Sequence, residues 1–342
     1  MTRAAGGRVT IRDVAAVAEV SVTTVSDALN NKGKLREETR ARIREVAESL
    51  GYRPSRVAQA FRLGRTGTIA LVLPNMGEHA AEQEMISLDY YMSIASGCAR
   101  AAFRERYSLT LTPHISTADE WRLIGADGVV LCDPAGLDPR IDMLEGMGVP
   151  VVSIERDPGR PERPYYTSGD NERNIRDLLE HLYEAGARRI ALLSAQSSWA
   201  WSLDGLRAYE TWCAERGMRP RVAPVSLDRL EADSYRATRA LLDGDEPPDA
   251  LIASAEQYSE GATRACRERG VRIPEDLMLA VGVDSRFAQQ FDPPITAIDL
   301  RPVDQASAAV DMLLRRLSGE RVDRPEVVAS KLHIRASTRR RA

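Results

Sequence analysis

The chain has 342 residues and a mass of 37.7 kDa, which predicts about two domains at the usual domain size. Hydrophobic residues make up 43% and charged residues 28%, so the composition excludes a disordered chain and a membrane-buried one. No run of about 18 apolar residues occurs, and the N-terminal residues lack the apolar centre of a secretory signal, so we expect a cytoplasmic protein.

The net charge of −3 is unevenly distributed along the chain. Residues 1–66 contain 13 Lys and Arg against 7 Asp and Glu, whereas the remaining residues contain 34 against 43. A basic segment joined to an acidic body is typical of a nucleic-acid-binding module fused to a second domain. The scattered Cys and His residues lack the spacing of a metal site, so we expect no disulfide framework, no metal and no cofactor.

Three short helices are predicted at the start of the chain. The first has an apolar stripe from Ile11 to Ala18, with Thr10 and Asp13 at capping-box spacing. The second begins after Ser21 as N-cap and has a small, polar outward face. The third has two acidic residues in its first turn and ends at Gly51. Together they predict a minimal three-helix bundle.

The pattern changes twice after this bundle. Ser55 to Leu63 has apolar residues at helical spacing but is too short to be a stable helix without a partner, and Gly64 to Gly67 is predicted to be a linker. From Thr68, short apolar runs alternate with amphipathic segments as far as a predicted helix at Val303 to Leu317. This alternation predicts parallel strands joined by helices, and nine or more strands over about 270 residues indicate two α/β lobes.

Residues along the whole chain match one known family of regulators. The matching positions are Thr10, Asp13 to Ala15, Val20, Ser21, Thr24 to Ser26, Leu29, Asn30, Leu50 to Tyr52, Arg56, Ala58, Asp127, Gly128, Gly282, Asp284, Pro294 and Ile334 to Thr338. In these positions the chain resembles the LacI/GalR family of transcription regulators. The resemblance implies an N-terminal all-α helix-turn-helix domain followed by an α/β two-lobed core of the periplasmic-binding-protein type.

This resemblance also implies the domain boundaries. The expected parts are a helix-turn-helix DNA-binding domain at residues 1–54, a hinge helix and linker at 55–67, and an effector-binding and dimerisation core at 68–342. Within the core, lobe one is expected at about 68–186 and 300–328, and lobe two at about 187–299 and 329–342.

Two groups of helix-turn-helix residues are expected to contact DNA. Polar side chains match positions where the family touches phosphate, and such contacts fix the register without sequence information. These positions are Thr10, Ser21, Thr24, Ser26, Asn30 and Tyr52. Val22, Thr23 and Asp27 are the candidate base-contacting residues, because short side chains on the second helix fit the major groove.

Asp27 departs from the family pattern, in which a basic or other polar residue is usual. A carboxylate in the major groove can accept a hydrogen bond from the exocyclic amine of cytosine but cannot pair with the acceptor edge of guanine. We therefore expect a cytosine preference at one half-site position. The alternative is that Asp27 pairs with a neighbouring Arg such as Arg12 and contacts no base.

The hinge segment is implied to fold on DNA. In the family, the paired hinge helices of a dimer push an apolar side chain between base pairs of the minor groove, and Phe61 occupies that position here in place of the usual Leu. Arg56, Ala58 and Gln59 are expected in or beside the groove. The alternative is that Phe61 packs against the core.

The cleft between the lobes is implied to bind a small-molecule effector, because open α/β sheets place ligands at the carboxyl ends of their strands. That rule nominates Asn75, Met76, Asp133, Arg156, Trp199, Trp201, Glu256 and Asp284. The two tryptophans suit a carbohydrate-like effector. Gly205 stands where many members have the Arg that clamps sugar hydroxyls, which argues against a simple hexose.

The expected function is that of a sequence-specific transcriptional regulator, a repressor that binds a palindromic operator as a homodimer and responds to the effector. No phosphate-binding loop, dinucleotide fingerprint or nucleophile elbow occurs, so no enzyme activity is expected. Two alternatives stay open. One is a constitutive DNA-binding regulator without an effector, and the other is a solute-binding protein of the same fold.

Overall fold

The described part of the N-terminal unit contains the three predicted helices. The computed structural model describes residues 9–52, 65–74, 87–112 and 115–340, and residue contacts divide the chain into the units Met1–Thr66 and Gly67–Ala342. The helices of the first unit are α1 (Ile11–Val17), α2 (Val22–Leu29) and α3 (Glu37–Ser49). The existence and order of all three predicted helices are confirmed.

The predicted helix ends are also present. Thr10 and Asp13 form the capping box of α1, and the Ser21 side chain accepts a hydrogen bond from the Thr24 amide at the start of α2. Gly51 follows α3 with a φ of +66°, the left-handed conformation that glycine adopts without strain. Side chains from all three helices form a common apolar core, in which Val14, Val25 and Ile43 are fully buried.

Two six-stranded sheets form the two lobes of the second unit. The strands of sheet one are β1 (Thr68–Val72), β2 (Ser108–Thr112), β3 (Gly128–Cys132), β4 (Val151–Ile154), β5 (Tyr166–Ser168) and β11 (Glu326–Val327). Those of sheet two are β6 (Ile190–Ala195), β7 (Val222–Val225), β8 (Ala250–Ala253), β9 (Met278–Val281), β10 (Thr296–Asp299) and β12 (Lys331–His333). Sheet one has the order β11-β5-β4-β3-β1-β2 and sheet two the order β12-β10-β9-β8-β6-β7.

The strands are parallel except for the antiparallel pair β10 and β12. Central strands such as β3 and β8 are buried along their whole length, as a parallel sheet covered on both faces requires. The covering helices are α4 (Leu88–Arg104), α5 (Ala118–Ile124), α6 (Pro139–Gly146), α7 (Asn171–Glu184), α8 (Ala200–Glu215), α9 (Leu230–Leu242), α10 (Glu256–Glu268), α11 (Arg286–Gln290) and α12 (Pro302–Leu317). The predicted two-lobed α/β core is confirmed.

Helices α9 and α10 pack closely because of a single glycine. A Cβ atom built on Gly261 would lie 2.7 Å from the Tyr235 amide nitrogen and closer still to Ser234 Oγ and to the Glu231 carbonyl oxygen. Two of these three groups belong to the α9 backbone, which cannot move away as a flexible side chain could. The position therefore admits glycine only.

We expect Gly261→Ala to lower the free energy of unfolding of the core by about 2–3 kcal/mol, because overpacking outweighs the better helix propensity of alanine. Urea unfolding followed by tryptophan fluorescence measures the change. The matched control is Gly146→Ala in α6, where no atom lies within 4 Å of the new Cβ. The control should be neutral or stabilising by up to about 1 kcal/mol. Equal stabilities of the two variants would contradict the prediction.

Candidate functional site

Helix α2 presents an outward surface of small side chains. Val22 is 41% exposed and Thr23 is also exposed, whereas Ser26 and Asp27 are half-buried. Val25, on the opposite side, is fully buried in the three-helix core. The side chains proposed to contact bases therefore lie on one face of α2, as the base-contacting side chains of a recognition helix do.

Most of the side chains proposed to contact phosphate lie at helix ends. Thr10 Oγ1 donates to Asp13 Oδ2 at 2.9 Å, and Ser21 Oγ lies 2.8 Å from Thr24 Oγ1. Asn30 donates through Nδ2 to the Ser26 carbonyl oxygen at 2.7 Å. These polar groups are thus already held in place by the helix ends. The N-termini of α1 and α2 carry a partial positive charge, which favours an anion.

Asp27 lies where the loop after α2 passes close to the helix. Gly33 has a φ of +71°, and a Cβ there would come within 3.1 Å of Asp27 Oδ2. Arg40 donates from Nη1 to the Asp27 carbonyl oxygen at 3.2 Å. In the part of the chain that the structure describes, no ion pair joins Asp27 to Arg12. Asp27 therefore stays a candidate base-contacting residue, and its pairing with Arg12 is not observed among the described residues.

Six residues proposed for DNA or effector binding lie outside the described residues. They are the hinge residues Arg56, Ala58, Gln59 and Phe61, and the cleft residues Asn75 and Met76. Their roles therefore remain predictions from the sequence.

A cleft, partly open to solvent, lies between the two lobes. Lobe one contributes residues that follow strands, Asp133 after β3 and Glu155 after β4, and lobe two contributes Ser254 after β8. This is the carboxyl-end location at which open α/β sheets bind ligands. Aromatic side chains that line the cleft are Tyr90, Tyr91 and Trp201.

The nominated effector residues are not all in this cleft. Asp133 and Trp201 line it, whereas Trp199, 6% exposed, is packed in the hydrophobic core with its ring centroid 6.0 Å from that of Trp201. Glu256 is buried at the first position of α10 and does not line the cleft; burial raises its pKa. Asp284 lies beyond the cleft, where Arg335 holds both of its carboxylate oxygens at 2.6 and 2.8 Å.

Arg156 joins the lobes instead of facing the cleft. Its Nη2 donates to Asp204 Oδ1 at 2.5 Å, which connects the end of β4 in lobe one to α8 in lobe two. Arg207 donates to the same carboxylate oxygen at 3.0 Å and also pairs with Glu172. A network of four charged side chains therefore spans one side of the lobe boundary.

Several polar cleft residues were not nominated from the sequence. Glu155 and Ser254 each directly follow a strand, so the strand-end rule covers both. Asn171 and Asn174 belong to α7 and Tyr90 and Tyr91 to α4, and no strand-end signal marks them.

Two buried carboxyl groups define the electrostatics of the cleft. Burial raises the pKa of Asp133 to about 7, against the opposing effect of a hydrogen bond from Tyr91. Burial and then the charge of Asp133 raise the pKa of Glu155 to about 8. Both residues have left-handed backbone conformations, with φ of +44° and +72°, that residues with a Cβ rarely adopt. Such conformations concentrate at binding sites, where surrounding structure enforces them.

The described residues contain no cluster of three or more His, Cys, Asp or Glu side chains placed to hold a metal ion. No helix among them has both the length and the apolar character needed to cross a bilayer.

Family models match two parts of the chain. Residues 10–55 match the bacterial regulatory proteins of the lacI family, and residues 179–338 match a periplasmic binding protein-like domain. Among curated relatives, the HTH-type transcriptional regulator CelR of Thermobifida fusca is 30% identical and covers 92% of this chain and 93% of its own. Catabolite control protein A of Priestia megaterium is 26% identical and covers 97% and 99%. These relatives are named as regulators rather than enzymes.

Solved structures agree with the sequence comparison. A CelR–cellobiose complex aligns with a TM-score of 0.70 at 28% identity, over 96% of this chain and 100% of the other. The lac repressor dimer bound to operator aligns with a TM-score of 0.78 at 21% identity, over 97% and 99%, and supports the fold. The resemblance found in the sequence is thereby confirmed, and the chain belongs to the LacI family of bacterial DNA-binding transcriptional regulators.

Proposed function

We propose that this regulator binds a palindromic operator as a homodimer, represses transcription there and changes its operator affinity when a small-molecule effector enters the cleft. The surface of α2 carries the first part of this proposal, since Val22 and Thr23 are exposed on one face while Ser21 and Thr10 fix the two helix starts. Because its partner is DNA, we place its action in the cytoplasm.

The hinge mechanism rests on the sequence alone. Phe61 is proposed to enter the minor groove at the operator centre, with Arg56, Ala58 and Gln59 in or beside it. Aromatic side chains inserted between base pairs kink DNA as aliphatic ones do. Unstacking the bases costs about a few kcal/mol, which is offset because the bent DNA contacts more of the protein surface. An effector that changes the angle between the lobes would change whether two hinge segments can meet and fold, which couples the cleft to DNA.

The proposed dimer uses the exposed face of α4. Leu88, Met92 and Phe103 are 47%, 42% and 73% exposed, and their spacing in the sequence places them on the same side of the helix. Ala99 and Phe103 also border a shallow apolar depression against Val303 of α12. A twofold dimer requires a self-complementary surface, and its symmetry explains why a palindromic site is expected.

An effector is supported by buried polar atoms in the cleft. Asp133 Oδ1, Asn174 Nδ2 and Ser254 Oγ are buried and have no hydrogen-bond partner among the described residues. An unsatisfied buried polar group costs about 1–3 kcal/mol, so a ligand that pairs with all three is favoured. The CelR relative was solved with cellobiose, and a carbohydrate-like effector fits the polar atoms and aromatic rings of this cleft. The alternative without an effector gains support from Arg156 and Asp284, which pair with other residues of the chain.

Selection of bound genomic fragments by the full-length protein tests the DNA function. We expect one enriched palindrome, and we expect Phe61→Ala to weaken binding to it at least tenfold because the hinge loses its wedge. Asp27→Ala should remove the preference for cytosine at one half-site position. The control is Leu123→Ala. Leu123 lies on the surface of the two-lobed domain with its side chain 89% exposed, so its replacement should leave operator affinity unchanged.

The possible outcomes separate the parts of this proposal. Unchanged base preference in Asp27→Ala would refute the cytosine hypothesis, and unchanged affinity in Phe61→Ala would refute the wedge. An enriched site without twofold symmetry would contradict the dimer. Affinity that does not fall with rising salt would argue against an operator-binding protein altogether.

A further inference from the structure

The described lining of the cleft contains carboxyl groups without a basic counterpart. Asp133 and Glu155 are its acidic side chains, and it includes no Lys, Arg or His. Arg156 follows Glu155 in the sequence, but its guanidinium is bound to Asp204 at the lobe boundary. The positive charge that would balance the two acids is therefore not supplied by the described lining of the cleft.

Both carboxyl groups are surrounded by hydrogen-bond donors. Asp133 is 2% exposed, and its Oδ2 accepts a hydrogen bond from the Tyr91 hydroxyl at 2.6 Å. Glu155 is 5% exposed and accepts from Asn171 Nδ2 at 2.8 Å and from the Gly169 amide at 3.3 Å. All three neighbours are donors, which suits ionised carboxylates. Burial opposes that ionisation and raises both pKa values toward or above neutrality.

One oxygen of Asp133 has no hydrogen-bond partner among the described residues. Asp133 Oδ1 is buried at the cleft and receives no hydrogen bond from the described residues. A ligand N–H, and above all an ammonium group, would satisfy this oxygen and supply the missing charge. A charged hydrogen bond of this kind is about twice as strong as a neutral one.

The remaining cleft surface suits a ligand that is both hydroxylated and cationic. Tyr90, Tyr91 and Trp201 present aromatic rings, which attract ammonium groups and also stack on sugar rings. Asn174 Nδ2 and Ser254 Oγ are buried and have no hydrogen-bond partner in the part of the chain that the structure describes. Asn174 Nδ2 needs an acceptor such as a hydroxyl oxygen, and Ser254 Oγ can donate or accept.

We propose that the effector is a hydroxylated amine, such as an amino sugar, whose ammonium group binds between Asp133 and Glu155. This inference rests on the proposed effector role of the cleft and specifies the chemical class of the ligand. The hydroxyl groups pair with Asn174 and Ser254, and Trp201 packs against the ligand ring. The ligand supplies the positive charge that the described lining of the cleft lacks.

Matched pairs of compounds test the charge requirement. Thermal unfolding of the full-length protein is followed at pH 7.0 with glucosamine against glucose, galactosamine against galactose, mannosamine against mannose, and 1-amino-1-deoxysorbitol against sorbitol. The buffer is phosphate, because Tris is itself a hydroxylated amine. We expect the amine of at least one pair to bind at least tenfold more tightly than its neutral parent and to raise the melting temperature more. If no amine exceeds its parent, the inference is wrong.

Substitution of the acids tests where the amine binds. Asp133→Asn keeps an oxygen for the Tyr91 hydroxyl but removes the charge, so it should abolish the advantage of the amine over its parent. Glu155→Gln should act in the same direction. Glu162→Gln, an exposed acid outside the cleft, is the control and should keep the advantage in full. An advantage that survives in both Asp133→Asn and Glu155→Gln would overturn the assignment.

Cellobiose and operator DNA distinguish this inference from the proposed function. If cellobiose or a neutral parent raises the melting temperature and changes operator affinity while no amine does so, the effector role stands and the cationic ligand is wrong. If no compound changes either quantity, the inference is wrong and the constitutive alternative replaces the effector role. If an amine changes both quantities more than its neutral parent does, both proposals are supported.

Discussion

Replacing Arg335 by methionine is expected to lower the free energy of unfolding of the core by about 3 kcal/mol. The guanidinium holds both oxygens of Asp284 at 2.6 and 2.8 Å and donates to the Ile295 carbonyl oxygen at 2.7 Å. The two charged side chains are only 18% and 12% exposed. Removal of one partner leaves the other charge buried and uncompensated, and this costs about 3–5 kcal/mol in buried pairs. Some remaining solvent access places the expectation at the lower end.

The measurement is urea unfolding followed by tryptophan fluorescence, and Arg339→Met is the control. Arg339 is exposed and makes one long hydrogen bond, 3.4 Å, to the Ile334 carbonyl oxygen, so its loss should change stability by less than about 0.5 kcal/mol. The double variant Asp284→Asn/Arg335→Met should be more stable than Arg335→Met alone, because it removes the uncompensated charge. A double variant as unstable as the single one would contradict this account.

A second large effect is expected from pH. The carboxyl groups of Asp133 and Glu155 ionise near pH 4 in the unfolded chain, but their pKa values rise to about 7 and about 8 in the folded protein. Between these values the folded state binds more protons than the unfolded state, so stability falls as pH rises. We expect their contribution to fall by at least about 3 kcal/mol between pH 5 and pH 8.5, since one pKa unit corresponds to about 1.4 kcal/mol. The decline should end only above about pH 9, where both carboxyl groups are ionised in the folded protein as well.

The double variant Asp133→Asn/Glu155→Gln isolates this contribution. It should gain stability over the unmodified protein steadily as pH rises from 5 to 8, because neither amide ionises. Urea unfolding at each pH gives the difference, and tryptophan fluorescence reports the core alone because Trp121, Trp199, Trp201 and Trp212 all belong to it. A stability difference that is constant with pH would show that the two carboxyl groups do not carry the effect.

Elements with a long periodic pattern were predictable from the sequence. The stripe on α1, the N-cap Ser21 and the apolar runs of the central strands all have local causes, and the structure confirms them. Short elements were missed because two or three residues carry no period: β11 has two residues, and β5 and β12 have three each. Helix α5 was missed although Thr117 and Glu120 form a capping box before it.

The cleft was predictable in location but only partly in composition. The strand-end rule reaches Asp133, Glu155 and Ser254 because each position depends only on where a strand stops. It does not tell which side chain turns into the cleft and which pairs elsewhere. Arg156 and Asp284 follow strands too, yet both are bound to charged residues from distant parts of the chain. Such pairings depend on tertiary contacts that a local pattern does not contain.

The positions of β11 and β12 determine when each lobe can finish folding during synthesis. These strands lie close together in the sequence, yet each completes a different sheet, and Ser337 is fully buried against β9 through a hydrogen bond to the Leu279 carbonyl oxygen. Neither lobe can therefore complete its fold on the ribosome until residues beyond 326 have emerged. A nonsense codon late in the gene damages both lobes at once, whereas the three N-terminal helices have long been translated. Such a truncated product would carry an intact DNA-binding unit on an unfinished core.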